Sequence, residues 1–259
     1  MIEIINVTHH YGIRPVLRDI TMHIERGELV ALMGPNGIGK TTLMQLLAGI
    51  LWPARESIEI DGLRRRVSDD AELSIRKTVV YVAAEAWLPQ YRTGRDWLLA
   101  VGRVYGQDEL ELMEHVDSLM ALFELTDKQD SPIASYSTGQ KKKLNLSAAL
   151  ISEAKVMLLD EPFGGGLDPS GIMALKGVLQ RLREERKTTI VMATPVPELV
   201  EDLADRVAVL RDGRLAALET IDGLRRQTGC GGRLDEVYAA FISPQTNANV
   251  DNYFKRGRA

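Results

Sequence analysis

Cysteine is almost missing from this chain of 259 residues: only Cys230 is present, so no internal disulfide can form, and a reducing compartment fits. Aromatic residues amount to 5%, and the histidines are four, His9, His10, His23 and His115. No stretch approaches the roughly 18 consecutive apolar residues of a membrane-spanning helix. The opening MIEIINVTHHYG has no basic region followed by an apolar core, so no signal peptide is expected. Internal repeats and low-complexity tracts are absent as well. Neither sign of charge dominates: the net charge is −4, which gives no electrostatic footprint for nucleic acid. What remains is an ordinary globular balance, 45% hydrophobic and 26% charged, long enough for one large α/β domain or two modest ones.

Short apolar runs bounded by breakers recur along the chain. Leu29 to Met33 stops at Gly34, and Thr41 to Ile50 then reads as a helix. Lys77 to Ala83, Val156 to Leu159, Thr189 to Ala193 and Val207 to Arg211 read as further buried strands, the last closed by the turn Asp212-Gly213. Such runs suit a mostly parallel sheet covered on both faces. The first 30 residues instead alternate and turn, as antiparallel strands do. Between Trp87 and Ala154 the pattern becomes helical, with Leu110, Met113, Val116, Leu119, Met120 and Phe123 at spacings of three and four. Thr194-Pro195-Val196-Pro197 breaks the chain after the fourth core strand, and Glu198 to Arg206 then reads as helix-like. A further helix is expected over Leu234 to Ile242, and the polar stretch 243–259 reads as a frayed tail.

Three segments carry chemistry. GPNGIGKTT, Gly34 to Thr42, matches G-x-x-x-x-G-K-[ST] directly after a strand and before a helix. Backbone N–H groups released by its glycines turn towards a phosphate, and the helix adds its positive end. Lys40 supplies a point charge to the β- and γ-phosphates, and the Thr41 hydroxyl a hard oxygen for Mg²⁺. Chance alone produces this match in roughly one chain of this length in a hundred. VMLLDEP, Val156 to Pro162, is a strand ending in two carboxylates, suited to holding Mg²⁺ through Asp160 and activating water through Glu161. YSTGQKKKLNLSAAL, Tyr136 to Leu150, places Ser137-Thr138-Gly139-Gln140 before a helix whose first turn holds Lys141 to Lys143. Those lysines oppose the helix dipole unless an anion docks there, the alternative being a simple N-cap with a solvated lysine face.

Together these segments resemble the nucleotide-binding subunit of an ABC transporter, from about Ile2 to Ile242. Gly34, Pro35, Asn36, Gly37, Gly39, Lys40, Thr41 and Thr42 fall in the segment resembling its Walker A loop, Asp160 and Glu161 end its Walker B strand, and Ser137, Gly139 and Gln140 belong to its signature. Tyr11 stands where the family stacks a ring on adenine, and Gly166 to Pro169 resembles the loop that touches the opposite subunit. The resemblance implies a P-loop NTPase (RecA-like) α/β core with an N-terminal antiparallel β subdomain and an inserted α-helical subdomain. The expected division is one domain over 1–242, its core formed by 1–84 and 154–225, with helical insert 85–153 and C-terminal helix 234–242. It implies ATP and Mg²⁺ as ligands, a second nucleotide-binding subunit, and a membrane permease under which the chain sits on the cytoplasmic side. Details such as YRTGRDWL and LDEVYAAF resemble exporter subunits most.

The chain also departs from that family. Pro195 occupies the place of a histidine that hydrogen-bonds the γ-phosphate, and Ala84 that of a glutamine at the Mg²⁺ site, with Glu85 or Gln90 as substitutes. EPFGGGLDP is one residue longer than usual, with three consecutive glycines, Gly164 to Gly166. Two readings follow: slow hydrolysis through Glu161, or ATP binding with hydrolysis left to a composite site in a heterodimer. A soluble ABC ATPase acting on nucleic acid is the less favoured rival, since neither a tandem cassette nor a long coiled coil is present.

Overall fold

The computed structural model describes residues 1–53, 55–85, 87–185 and 187–242. Two sheets enclose one helix. Strands β1 (Ile2–His10) and β2 (Pro15–Ile24) pair antiparallel, and β4 (Arg55–Ile60) and the two-residue β5 (Leu63–Arg64) extend them in the order β2-β1-β4-β5. The second sheet runs β10-β9-β3-β8-β7-β6, from β3 (Leu29–Met33), β6 (Val79–Val82), β7 (Val156–Asp160), β8 (Thr189–Ala193), β9 (Arg206–Arg211) and β10 (Arg214–Glu219). Its first five members in chain order are parallel, and only β10 runs against them. Every residue of β3, β7 and β8 is buried, as their apolar runs require when both faces are covered, and the burial extends to Asp160, the one charged residue among them.

Helix α1 (Lys40–Ala48) is packed between the sheets, with Leu43, Met44, Leu46 and Leu47 in one core with Ile2, Ile4 and Ile24. A second core lies on the other face of the parallel sheet. It includes helices α3 (Gly94–Val104), α4 (Glu109–Leu122) and α5 (Thr138–Ile151), together with α6 (Pro169–Glu184), α7 (Ile221–Thr228) and α8 (Leu234–Ile242). The expected antiparallel start, the inserted helices, the hairpin turn at Asp212-Gly213 and the helix Leu234–Ile242 are all present.

Four expectations need correction. Helix α1 covers Lys40 to Ala48 and not Thr41 to Ile50, because Gly49 in a left-handed conformation ends it. Lys77 and Thr78 finish a helix, α2 (Asp69–Thr78), so the strand after them is only Val79–Val82. Ser68 accepts a hydrogen bond from Ala71 N, and acids in the first turn with bases in the last support α2 against the strand propensity of its end. In α4, Leu110 and Met113 face outwards while Leu112 is buried with Val116, Leu119 and Met120. Finally, 198–206 is no helix: a single 3₁₀ turn, Pro197–Leu199, is followed by turns up to β9, whose first residue is Arg206. The tail 243–259 lies outside the described residues.

Candidate nucleotide site

At the end of β3 the chain enters the glycine loop. Gly39, the N-cap of α1, has φ 112, and a Cβ there would lie 2.8 Å from a methyl of Leu17, so glycine is demanded by both conformation and space. Lys40 is buried and folds back over the loop: its Nζ donates to the carbonyls of Gly34 (2.8 Å) and Pro35 (3.1 Å). Burial lowers its pKa, against an opposite pull from Glu161 and Asp160. Pro35, Asn36, Gly37 and Thr41 are exposed around it, leaving the loop open to a ligand. Thr42 is buried, and its Oγ1 lies 3.3 Å from the Tyr11 hydroxyl. Tyr11 is thereby moored at the start of α1, edge-on to His9 at 4.9 Å between centroids and still 64% exposed.

The carboxylate pair stands two strands away, at the end of β7. Asp160 is 1% exposed; its Oδ2 accepts from the Tyr81 hydroxyl at 3.3 Å, while its buried Oδ1 has no partner. Burial, and next the charge of Asp160, push the Tyr81 pKa up, so this phenol remains a donor. An ionised oxygen buried without a partner is costly, and a cation is the natural remedy. Among the described residues no cluster of three or more His, Cys, Asp and Glu could hold a metal by itself. One orphaned carboxylate and an exposed Thr41 suit Mg²⁺, which takes one or two protein oxygens and completes its shell with water and phosphate. Glu161 has φ 47, uncommon outside glycine, with its N–H donating to the Ala193 carbonyl at 2.8 Å. Such a conformation costs about 1–3 kcal/mol and concentrates at functional sites.

Strand β8 runs between β3 and β7, and Ala193 pairs with Leu32 on one side and Asp160 on the other. The next residues are therefore held between phosphate loop and carboxylates. Thr194 is buried, its N–H bonded to the Leu32 carbonyl and its hydroxyl accepting from Val196 N. Pro195, half-buried, offers no ring donor. On the far side, Val82 of β6 pairs with Leu159, so Ala83 and Ala84 follow level with the two carboxylates. Glu85 is exposed, and Gln90 is engaged elsewhere, its amide donating to the Leu88 carbonyl and its oxygen accepting from Lys141.

The signature segment stands at the start of α5, in the helical insert. Ser137 caps α5 in a reciprocal box: Gln140 N donates to Ser137 Oγ at 3.2 Å, and Ser137 N donates to Gln140 Oε1 at 2.9 Å. The Ser137 hydroxyl hydrogen and the Gln140 amide N–H groups are left to donate outwards. Gly139 packs on the triple-glycine loop Gly164 to Gly166, where a Cβ would lie 2.5 Å from the Gly166 carbonyl oxygen. Gly139→Ala is expected to cost about 1–3 kcal/mol through overpacking. A thermal melt checks this, and a Tm unchanged from the wild type would show that the two loops do not need this contact.

The three lysines do not form a solvated face. Lys142 and Lys143 are buried; Lys143 bonds Asp168 at 2.8 Å, tying α5 to the N-cap of α6, and Lys142 reaches the Ala84 carbonyl. Neither is directed at a phosphate beyond the helix end, contrary to the expectation from the helix dipole. The absence of an acid in that first turn was the available signal, but a lysine triplet does not reveal which members turn inwards.

The ABC transporter family profile matches residues 17–164. The chain belongs to the ABC transporter family. It is an ABC-type ATPase and an ATP-binding subunit. It is 32% identical over 249 residues to the daunorubicin resistance ATP-binding protein DrrA3 of Streptomyces coeruleorubidus, covering 93% of this chain and 77% of the relative. It is likewise 32% identical over 214 residues to a sulfate/thiosulfate import ATP-binding protein of Rhodopseudomonas palustris, covering 83% of this chain and 61% of that one. A solved structure described as the ATP-binding subunit of an ABC transporter superposes with TM-score 0.83 at 33% identity, covering 92% of this chain and 98% of the other. The P-loop NTPase fold is thus that of its relatives, and no helix among the described residues is long and apolar enough to cross a membrane.

Proposed function

We propose that this ABC ATPase subunit, acting as a single unit over residues 1–242, powers a separate integral-membrane permease from the cytoplasmic face, with two subunits enclosing ATP-Mg²⁺ between them. The observation that carries this reading is the strand order: β3 and β7, which end in the phosphate loop and the carboxylates, flank β8 on one chain, while the capping box of the signature leaves the Ser137 hydroxyl hydrogen and the Gln140 amide N–H groups free to donate. Gly34 to Thr42 cradle the phosphates and Tyr11 offers its exposed ring face to the base. Thr41 and Asp160 hold Mg²⁺, whose chemistry is to neutralise charge developing on the β- and γ-phosphate oxygens. Glu161 orients and deprotonates the attacking water. Ser137, Gly139 and Gln140 meet the γ-phosphate of the opposite subunit. Export is the favoured direction, supported by the exporter-like sequence details and by the resistance-related name of DrrA3, against the import name of the second relative.

Pro195 makes slow turnover the expected result. A hydrogen bond that strengthens as charge develops is absent from the position between loop and carboxylates, and such a bond is worth a factor of about a hundred in rate. Pro195→His is expected to raise kcat with little change in KM, the mark of an interaction made mainly in the transition state. Because Pro195 and Pro197 restrain the backbone, Pro195→His with Pro197→Ala is measured beside it. Wild-type turnover equal to that of a complete cassette, with no gain in either variant, would remove Pro195 from the sensor position. The same vacancy of donors supports a second reading, an ATP-binding partner with little hydrolysis in a heterodimer. The transport part is tested by fractionating the source cells: the chain should be recovered on the membrane together with an integral-membrane partner, and a chain found only in the soluble fraction contradicts it.

A further inference from the structure

Lys142 of the helical insert carries its charge to the end of β6, within electrostatic reach of the carboxylates that end β7. It leaves α5 at that helix's fifth residue, is 6% exposed, and passes the triple-glycine loop Gly164 to Gly166, where a Cβ built on Gly165 would lie 3.8 Å from its Cδ. Its Nζ reaches the Ala84 carbonyl at 3.4 Å, a long contact that uses one of three ammonium donors. The end of β6 and the triple-glycine loop thus meet this side chain, and the carboxylates at the end of β7, Asp160 and Glu161, act on its ammonium electrostatically. Burial opposes the charge, and the two carboxylates favour it. A buried cation that bonds only a carbonyl, on the chain whose Asp160 keeps an orphaned oxygen and whose residue 84 has no polar side chain, is costly unless the acids need it.

We propose that Lys142 is a resident counter-charge of the ATP site, a positioning residue that steadies Asp160 and Glu161 before nucleotide arrives and sets how strongly binding depends on the divalent cation. The proposal rests on the reading of the site as one for ATP-Mg²⁺. Its electrostatic signature has two opposite signs. The ammonium attracts the phosphates of metal-free ATP but repels Mg²⁺ at Asp160. Neutralising it should therefore weaken metal-free binding and, at the same time, lower the Mg²⁺ concentration that half-saturates the metal-dependent enhancement. Each change is expected to be about three- to tenfold for one charge at this range with partial screening.

The experiment titrates the full chain with the fluorescent nucleotide MANT-ATP, first in EDTA and then across a Mg²⁺ series, for wild type, Lys142→Gln, Lys142→Met and Lys142→Arg. Opposite shifts in the two neutral variants, with Lys142→Arg close to wild type, support the proposal. A merely structural lysine would move both affinities in the same direction or neither, and either result overturns it, as does an arginine variant that behaves like the glutamine one. Failure of both neutral variants to fold, with the arginine variant folded, would make Lys142 a structural charge and also overturn it. Wild type that binds no MANT-ATP would overturn the nucleotide-site reading itself, an outcome distinct from an unchanged Mg²⁺ dependence.

Discussion

Lys40→Ala is expected to weaken nucleotide binding by about a hundredfold and to abolish measurable turnover, since a charge-assisted contact to phosphate and the loop's own closure disappear together. The Lys40 ammonium is held inside the loop by the Gly34 and Pro35 carbonyls, so it is in place before the ligand arrives and no ordering of a long side chain opposes binding. Stability should respond in the other direction. A lysine whose pKa is lowered by folding binds its proton less tightly in the folded state, so at neutral pH its charge opposes folding. Lys40→Met is therefore expected to melt at or above the wild-type temperature while losing ATP. Isothermal titration and thermal melts check the pair; unchanged affinity in the alanine variant would remove the phosphate-loop assignment.

Glu161→Gln should lower kcat by about 10²- to 10⁴-fold while leaving ATP affinity near normal, because the amide keeps the shape of the carboxylate but cannot take a proton. On the proposed reading, in which Ser137 and Gln140 donate to phosphate on a second subunit, ATP that is bound and not consumed should hold two chains together. Light scattering in excess ATP is expected to show the mass of a dimer for this variant and a smaller dimer fraction for wild type. A variant that stays monomeric at saturating ATP would rule out the self-paired site, leaving a different chain as the partner. A variant that hydrolyses at the wild-type rate would show that Glu161 is not the base.

These two residues were legible because their chemistry is local. The phosphate loop is a run of neighbours whose glycines and helix start are written in nine consecutive positions, and the carboxylates end an uninterrupted apolar strand. The cap of α5 was legible for the same reason, its two hydrogen bonds joining residues three apart. Helix α2 was equally local, with Ser68 and an acid-to-base polarity, yet it was overlooked because Lys77 to Ala83 has the composition of a strand. In α4 the spacing of three and four was right and the face was not, since periodicity gives a stripe but not the neighbour that covers it.

The sequence by itself therefore determined the family, the phosphate loop, the paired acids and the capped signature, all set by residues within a turn or a strand of one another. Only the tertiary structure decided that β8 is inserted between β3 and β7, so that Pro195 follows just past the level of Leu32 and Asp160. It alone placed the Tyr11 hydroxyl against Thr42, and turned Lys142 and Lys143 inwards from a triplet that reads as solvated. The reason is physical: a charged side chain is driven outwards by its hydration, and only partners brought from distant segments can offset that cost. For Lys143 the partner is Asp168, 25 residues on, and for Lys142 it is the Ala84 carbonyl, 58 residues back, contacts that no local pattern encodes.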